Sequence, residues 1–187
     1  VLLVVDVNRL HFVATDFQST ASPTNRQDKL CYHLRGPVSV CSTTASTQSG
    51  VAETFTTVKQ QLPTVEDLEG FLSSHQMAIT QMAIQYCDVL VEDTDKRDDF
   101  FPGFNFGENA STAFDDAGRA LIKTPLMENF VGTSLTTQPS DADIEAELDA
   151  LMGRLTTCGG SCEAGRTETV VKASCAAVLG SAVTLIQ

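Results

Sequence analysis

The stretch Gln76–Cys87, QMAITQMAIQYC, repeats the unit Gln-Met-Ala-Ile and follows directly on Ser73-Ser74-His75. Two methionines, a histidine and a cysteine so close together pose a choice between a haem or copper box and a buried helix. On a helix, residues five apart are separated by roughly 140°, so Met77 and Met82 share no ligand. His75 and Met82 face the same way but stand about 10 Å apart along the axis, too far to chelate one ion. Cys-x-x-Cys-His, which attaches haem, is absent from the chain. The repeat does make the helix apolar nearly all round, as in a helix buried on several sides. Methionine suits such a place because it fills irregular gaps. The stretch therefore predicts an inner helix of a bundle.

The flanks extend that reading. Val51, Phe55, Val58 and Leu62 form one apolar stripe, a helix that Pro63 stops. Thr64, with Asp67 three residues on, caps the next helix, predicted from Val65 to about Val91 with Leu68, Leu72, Ile79, Met82, Tyr86 and Leu90 inward. Glu92–Ser111 follows as a compact loop whose Phe100, Phe101, Phe104 and Phe106 plug the core. A short helix starts near Ser111 and carries Phe114, Ala117 and Leu121, with Pro125 interrupting it. Ser140, with Asp143 behind it, caps a helix lined by Ile144, Leu148, Leu151 and Leu155. The last helix, about Thr167 to Ile186, is rich in small residues, reads as central, and turns Val171, Cys175, Val178 and Ala182 inward.

The N-terminal part has another character. Val1–Val7 is an apolar run with many β-branched residues, interrupted by Asp6, and Leu10–Phe17 alternates. LCYHL and VSVC flank Arg35-Gly36-Pro37, a turn signal. The predicted class is mainly α: a four- to five-helix bundle with a small N-terminal β element, α+β at the margin. One domain spans 1–187, with a β/loop element over 1–45 and the bundle over 51–187.

The chain of 187 residues has 12 Lys and Arg against 24 Asp and Glu, a net charge of −12. Nucleic acid and anionic lipid are repelled by such a surface. A hydrophobic fraction of 42% with a mean hydropathy of +0.00 is that of a folded globular chain. No run reaches the roughly 20 apolar residues of a membrane span. With no initiator Met, residue 1 reads as a processed or excised end.

Cys31, Cys41, Cys87, Cys158, Cys162 and Cys175 make an even set. In an oxidising compartment the expected pairs are Cys31–Cys41, Cys158–Cys162 and Cys87–Cys175, the last joining two apolar helices. The Thr/Ser-rich acidic composition points the same way, to an extracellular or cell-surface setting. Asp93 and Asp95 begin like an EF-hand loop, but Arg97 falls where an oxygen ligand belongs. Asp98 then stands where Gly is required and Phe104 where the terminal Glu belongs, which leaves an irregular calcium site drawing on Asp93, Asp95, Asp98 or Glu108 as the one candidate cofactor site. His11, His33 and His75 are scattered, against a zinc site. There is no nucleophile elbow, phosphate loop or dinucleotide fingerprint, so no catalytic residue is assigned. Asn109-Ala110-Ser111 fits the glycosylation sequon, a short match that arises readily by chance.

Gln60–Cys87, Phe100–Phe106 and Val170–Ala182 together resemble an uncharacterised helical region of large secreted bacterial surface proteins that also carry laminin-G-like domains. The resemblance covers about residues 58–187. It implies an extracellular place inside a multi-domain or assembled surface structure, and it brings no catalytic residues. The leading expectation is a non-enzymatic structural or interaction module whose partner is protein, through self-assembly or neighbouring domains. Val1, Leu2, Leu3, Val4 and Val5 form an apolar strand that either pairs within its own domain, the plainer reading, or joins a neighbouring subunit's sheet and builds a filament. The alternatives are a secreted hydrolase acting on surface polysaccharide, and a metal or redox carrier.

Overall fold

The computed structural model describes the backbone of residues 10–11, 30–34, 39–42, 45–62, 73–131, 139–181 and 183, and side chains within these ranges from residue 50 onward. The described residues are mainly helical, with seven helices: α1 Ala45–Gln61, α2 Ser73–Glu92, α3 Thr94–Phe100, α4 Ala110–Ala113, α5 Asp116–Phe130, α6 Asp141–Thr156 and α7 Arg166–Leu179. Ahead of them, β1 Leu10–His11, β2 Leu30–Leu34 and β3 Ser39–Ser42 pair antiparallel in that order. These short stretches do not establish the β/loop element expected over 1–45, most of which lies outside the described residues.

Helix α2 answers the question of the repeat. It is sandwiched between α1 and α7, which pack on it most extensively. Its small residues, not its methionines, go inside: Ala78 and Ala83 are 7% and 2% exposed, whereas Met77 and Ile84 are 58% and 54% exposed. Met82 and Ile79 are half-buried. Residues five apart point about 140° apart, so Ala78 and Ala83 are buried on different sides of the helix. The expected inner face is corrected in part: Leu90 is buried and Tyr86 packs half-buried on the core as expected, while the other buried positions are Ala78, Ala83, Cys87, Val89 and Val91 rather than Ile79 and Met82. Residues 63–72, with the Thr64 cap, lie outside the described residues.

Helix α7 runs antiparallel to α2. Gln76 Nε2 donates to the Gly180 carbonyl at 2.9 Å, Cys87 is bonded to Cys175, and Lys172 reaches Asp88. Small residues make this approach possible. A side chain on Gly180 would stand 3.5 Å from the Ala83 Cβ. Ser174, fully buried, returns its hydroxyl to the Val170 carbonyl at 2.9 Å, which satisfies it within the helix. Helix α7 also packs on α4, α5 and α6, so its central place agrees with the small-residue pattern. Ala182, expected inward, lies outside the described residues.

The phenylalanines do plug the core. Phe100, Phe101, Phe104, Phe106 and Phe114 are all buried. Phe100 meets Phe101 edge-on at 4.8 Å and stacks on Phe130 at 5.7 Å, while Phe104 meets Phe106 and Phe114 at 5.0 and 5.3 Å. Phe101-Pro102-Gly103-Phe104 closes as a turn, with the Phe104 N–H donating to the Phe101 carbonyl at 3.2 Å. Gly103, at φ +81°, takes the left-handed position such a turn demands. The turn lets Phe101 and Phe104 both face inward.

Four further expectations are corrected. Phe55 is 47% exposed, because only Val51 and Val58 of its stripe are covered. Thr94–Phe100 is a helix, not loop: Asp93 caps it by accepting from the Lys96 N–H. Pro125 sits inside α5 without ending it. The buried face of α5 is Gly118, Ile122, Leu126 and Phe130, which leaves Ala117 and Leu121 outward. Packing of that face overrides the one hydrogen bond a proline forfeits. The Ser140 cap of α6 is as expected, with Ser140 Oγ accepting from the Asp143 N–H at 3.2 Å; Leu148 and Met152 are its buried residues.

Candidate functional site

Two of the expected disulfides are formed. Cys87–Cys175 lies in the core between α2 and α7, with a Cα–Cα distance of 5.8 Å, and both residues are 1% exposed. Cys158–Cys162 closes the turn between α6 and α7, with a Cα–Cα distance of 5.4 Å. Cys31 and Cys41 are register partners on β2 and β3. Their side chains, and all of Val1, Leu2, Leu3, Val4 and Val5, lie outside the described residues.

The three aspartates of the calcium candidate are not drawn together around a common point. Asp93 is the α3 cap and also pairs with the Lys96 ammonium. Asp98 lies 3.5 Å from the Arg97 Nε, and Asp95 stands exposed in the first turn. Among the described residues no group of three or more His, Cys, Asp or Glu is placed to hold a metal ion. Burial pushes the Asp93 carboxyl up. Hydrogen bonds from Lys96, its charge and the Asp95 N–H outweigh that and hold the group below its ordinary value of 3.8. A lowered carboxyl stabilises the fold above its ordinary value and loses that effect as pH falls through the folded one. Asp93→Asn keeps a capping oxygen but no charge. The variant's deficit in chemical denaturation should be full near neutrality and shrink as pH drops below 3.8. A pH-independent deficit would mean that the charge of Asp93 contributes nothing.

The cations are used to tie helices. Lys172 of α7 donates to Asp88 at 2.6 Å and to Glu92 at 3.1 Å on α2. Burial pushes its ammonium down, yet the two carboxylates prevail and raise it. Lys123 of α5 reaches Asp149 at 2.6 Å and Glu145 at 3.7 Å on α6. Arg97 is the most engaged: its guanidinium stands 4.6 Å over the Phe106 ring and its Nη1 meets Glu168 at 2.7 Å, in the first turn of α7. It thus joins α3, the phenylalanine turn and α7. Exposed ion pairs are worth little, but this side chain is only 18% exposed and stacked. Arg97→Ala is expected to cost about 2 kcal/mol, and Arg97→Lys to recover less than half, since an ammonium neither stacks flat nor forks. Denaturation of both variants tests this; equal stability of Lys and wild type would refute the stacking argument.

These ties leave most of the described carboxylates exposed. One opening between helices is a shallow groove of about 470 Å³ along α1 and α2, lined by Gly50, Glu53, Thr54, Thr57, Gln81, Ile84 and Gln85. Thr54 Oγ1 donates to Gln85 Oε1 across it at 3.4 Å. Glu53 is the one carboxylate among the described residues of its lining. Six of its seven lining residues fall on the two helices the sequence predicts, but none belongs to an apolar stripe, so the pattern of burial gives no sign of the groove. The signal present was Gly50, Thr54 and Thr57 at helical spacing on one side of α1.

Asn109 has a structural task. It caps α4 by accepting from the Ser111 N–H at 3.1 Å, and its Nδ2 donates to the Cys162 carbonyl at 3.2 Å. His75 is half-buried on α2. No described helix is long and apolar enough to cross a membrane. In comparisons with known proteins, the chain matches no protein-family model, no curated protein and no solved structure.

Proposed function

We propose that this chain is a non-enzymatic, disulfide-stapled structural or interaction module of a bacterial cell-surface or extracellular assembly, with protein as its partner. The observation that carries this reading is the pair of bridges, Cys87–Cys175 within the core and Cys158–Cys162 at the α6–α7 turn. Such bonds persist in oxidising compartments and are rare where glutathione keeps thiols reduced. The surplus of carboxylates over cations favours a soluble exterior that repels polyanions. The resemblance of residues 58–187 to secreted surface proteins agrees with both.

The proposal includes a small β element within residues 1–45 and a third bridge between Cys31 and Cys41. Its motive is the register that sets these two residues opposite each other, within reach of a disulfide. It also includes strand addition by Val1–Val5 as the means of assembly. Intact mass of the denatured protein with and without reductant tests the bridges, since each disulfide lowers the mass by two hydrogens. Light scattering on a sizing column tests assembly. Three bridges with large species are the expected result; free thiols and a monomer would overturn it. Deleting Val1–Val7 separates the two roles of that strand. An assembly strand leaves a folded monomer, while a strand of the domain's own sheet takes the fold with it.

A further inference from the structure

We propose that Cys158–Cys162 is a reducible clasp. Dithiol reductants open it in the folded protein while Cys87–Cys175 stays closed, and its opening loosens the N-terminal cap of α4.

The two bridges differ in access. Exchange needs a thiolate to reach a sulfur along the S–S axis. Cys87 and Cys175 are 1% exposed between two packed helices, so a reagent reaches them only through large-scale opening. Cys158 is half-buried, with one side against the core, and Gly159, Gly160 and Ser161 beside it are exposed. Positions where Gly159 and Gly160 would carry side chains have no atom within 4 Å. Cys162 is the sheltered partner at 7% exposure. Attack therefore falls on the Cys158 sulfur. The reductant's first thiolate bonds to it, and Cys162 leaves as a thiolate that water protonates. The reductant's second thiol then displaces Cys158 and closes its own disulfide. The reductant gives up two electrons and two protons, and the protein gains two thiols.

The consequence passes through one hydrogen bond. The Cys162 carbonyl accepts from Asn109 Nδ2, and the same amide's Oδ1 accepts the Ser111 N–H and, at 2.9 Å, the Ser111 hydroxyl. The small ring between Cys158 and Cys162 fixes where that carbonyl stands. Helix α4 has only four residues and leans on this cap more than a long helix would.

The test exposes the native protein to graded dithiothreitol, quenches with an alkylating reagent and maps the labelled peptides, scoring Cys31 and Cys41 separately. Cys158 and Cys162 should be alkylated at least about tenfold faster than Cys87 and Cys175. Equal rates, or no labelling of Cys158 before the chain unfolds, would overturn the clasp. Hydrogen exchange on the same samples should rise at residues 110–113 once the clasp opens and stay constant at 122–130. The double variant Cys158→Ala, Cys162→Ala should reproduce that rise without reductant. Asn109→Ala should start high and rise no further on reduction. A rise of wild-type size in that variant, or none in the wild type, would refute the coupling.

Discussion

Replacing both Cys87 and Cys175 with alanine should cost about 4–5 kcal/mol of stability. The two cysteines are 88 residues apart, and in the chain-entropy account a covalent loop of that size removes roughly this much freedom from the unfolded chain. A cost of that size rivals the whole stability of a modest domain, about 5–15 kcal/mol. The same account gives only about 2 kcal/mol for Cys158–Cys162, whose partners are 4 apart. The core bridge is therefore the one on which the bundle depends. Urea denaturation of the double variant, with Cys158–Cys162 intact, measures it. The slope should steepen, because an unlinked chain exposes more surface, so extrapolated free energies must be compared, not midpoints. A loss below about 1 kcal/mol would mean that the unfolded chain already gathers α2 and α7 together.

Gly118→Ala is the second large effect, and its sign opposes helix propensity. Inside a helix, alanine gains about 1 kcal/mol over glycine. At residue 118 the added Cβ would stand 1.8 Å from the Ala113 carbonyl oxygen and 2.9 Å from its carbon. Those are backbone atoms at the end of α4 and cannot swing aside. Asp115 Oδ1, which accepts from the Gly118 N–H at 2.7 Å, pins the same corner. Moving α5 off α4 is expected to cost about 3 kcal/mol or more, a fall in melting temperature of roughly 6–12 °C. Gly153→Ala on α6 is the control. The nearest atom to its Cβ is the Arg119 Nη2 at 3.9 Å, so the ordinary gain of about 0.5–1 kcal/mol should appear. If both variants melt alike, the α4–α5 corner is soft and the close approach counts for nothing.

Features written in local chemistry could be read from the sequence. Ser140 with Asp143 behind it announces a helix start wherever it falls, and the bridges of Cys87 with Cys175 and Cys158 with Cys162 follow from which segments must meet. The four phenylalanines of Phe100–Phe106 are too apolar to lie anywhere but inside. The phase of each helix was harder, because a stripe is buried only if a neighbour covers it. Phe55, Met77 and Leu121 each continue an apolar pattern and each faces out, since α1, α2 and α5 meet their neighbours through other residues. Ala83 carries little hydropathy signal, yet it is where Gly180 of α7 comes up against α2. Helix α3 has no apolar stripe at all; the Asp93 cap and the reach of Arg97 to Glu168 hold it. The groove along α1 went unread for a similar reason, being lined chiefly by hydroxyls and amides that stand outside every apolar stripe.

The bond between α2 and α7 also decides how the molecule responds when it is pulled. Tension applied to the chain before Cys87 and after Cys175 crosses the bundle through that single covalent link. The 88-residue span from one cysteine to the other is bypassed and cannot pay out, which withholds roughly 300 Å of contour. Under oxidising conditions the phenylalanine core, α3 to α6 and the clasp would keep their folds while the flanking segments stretch. A force–extension trace would show that missing length directly, and the double variant Cys87→Ala, Cys175→Ala would restore it.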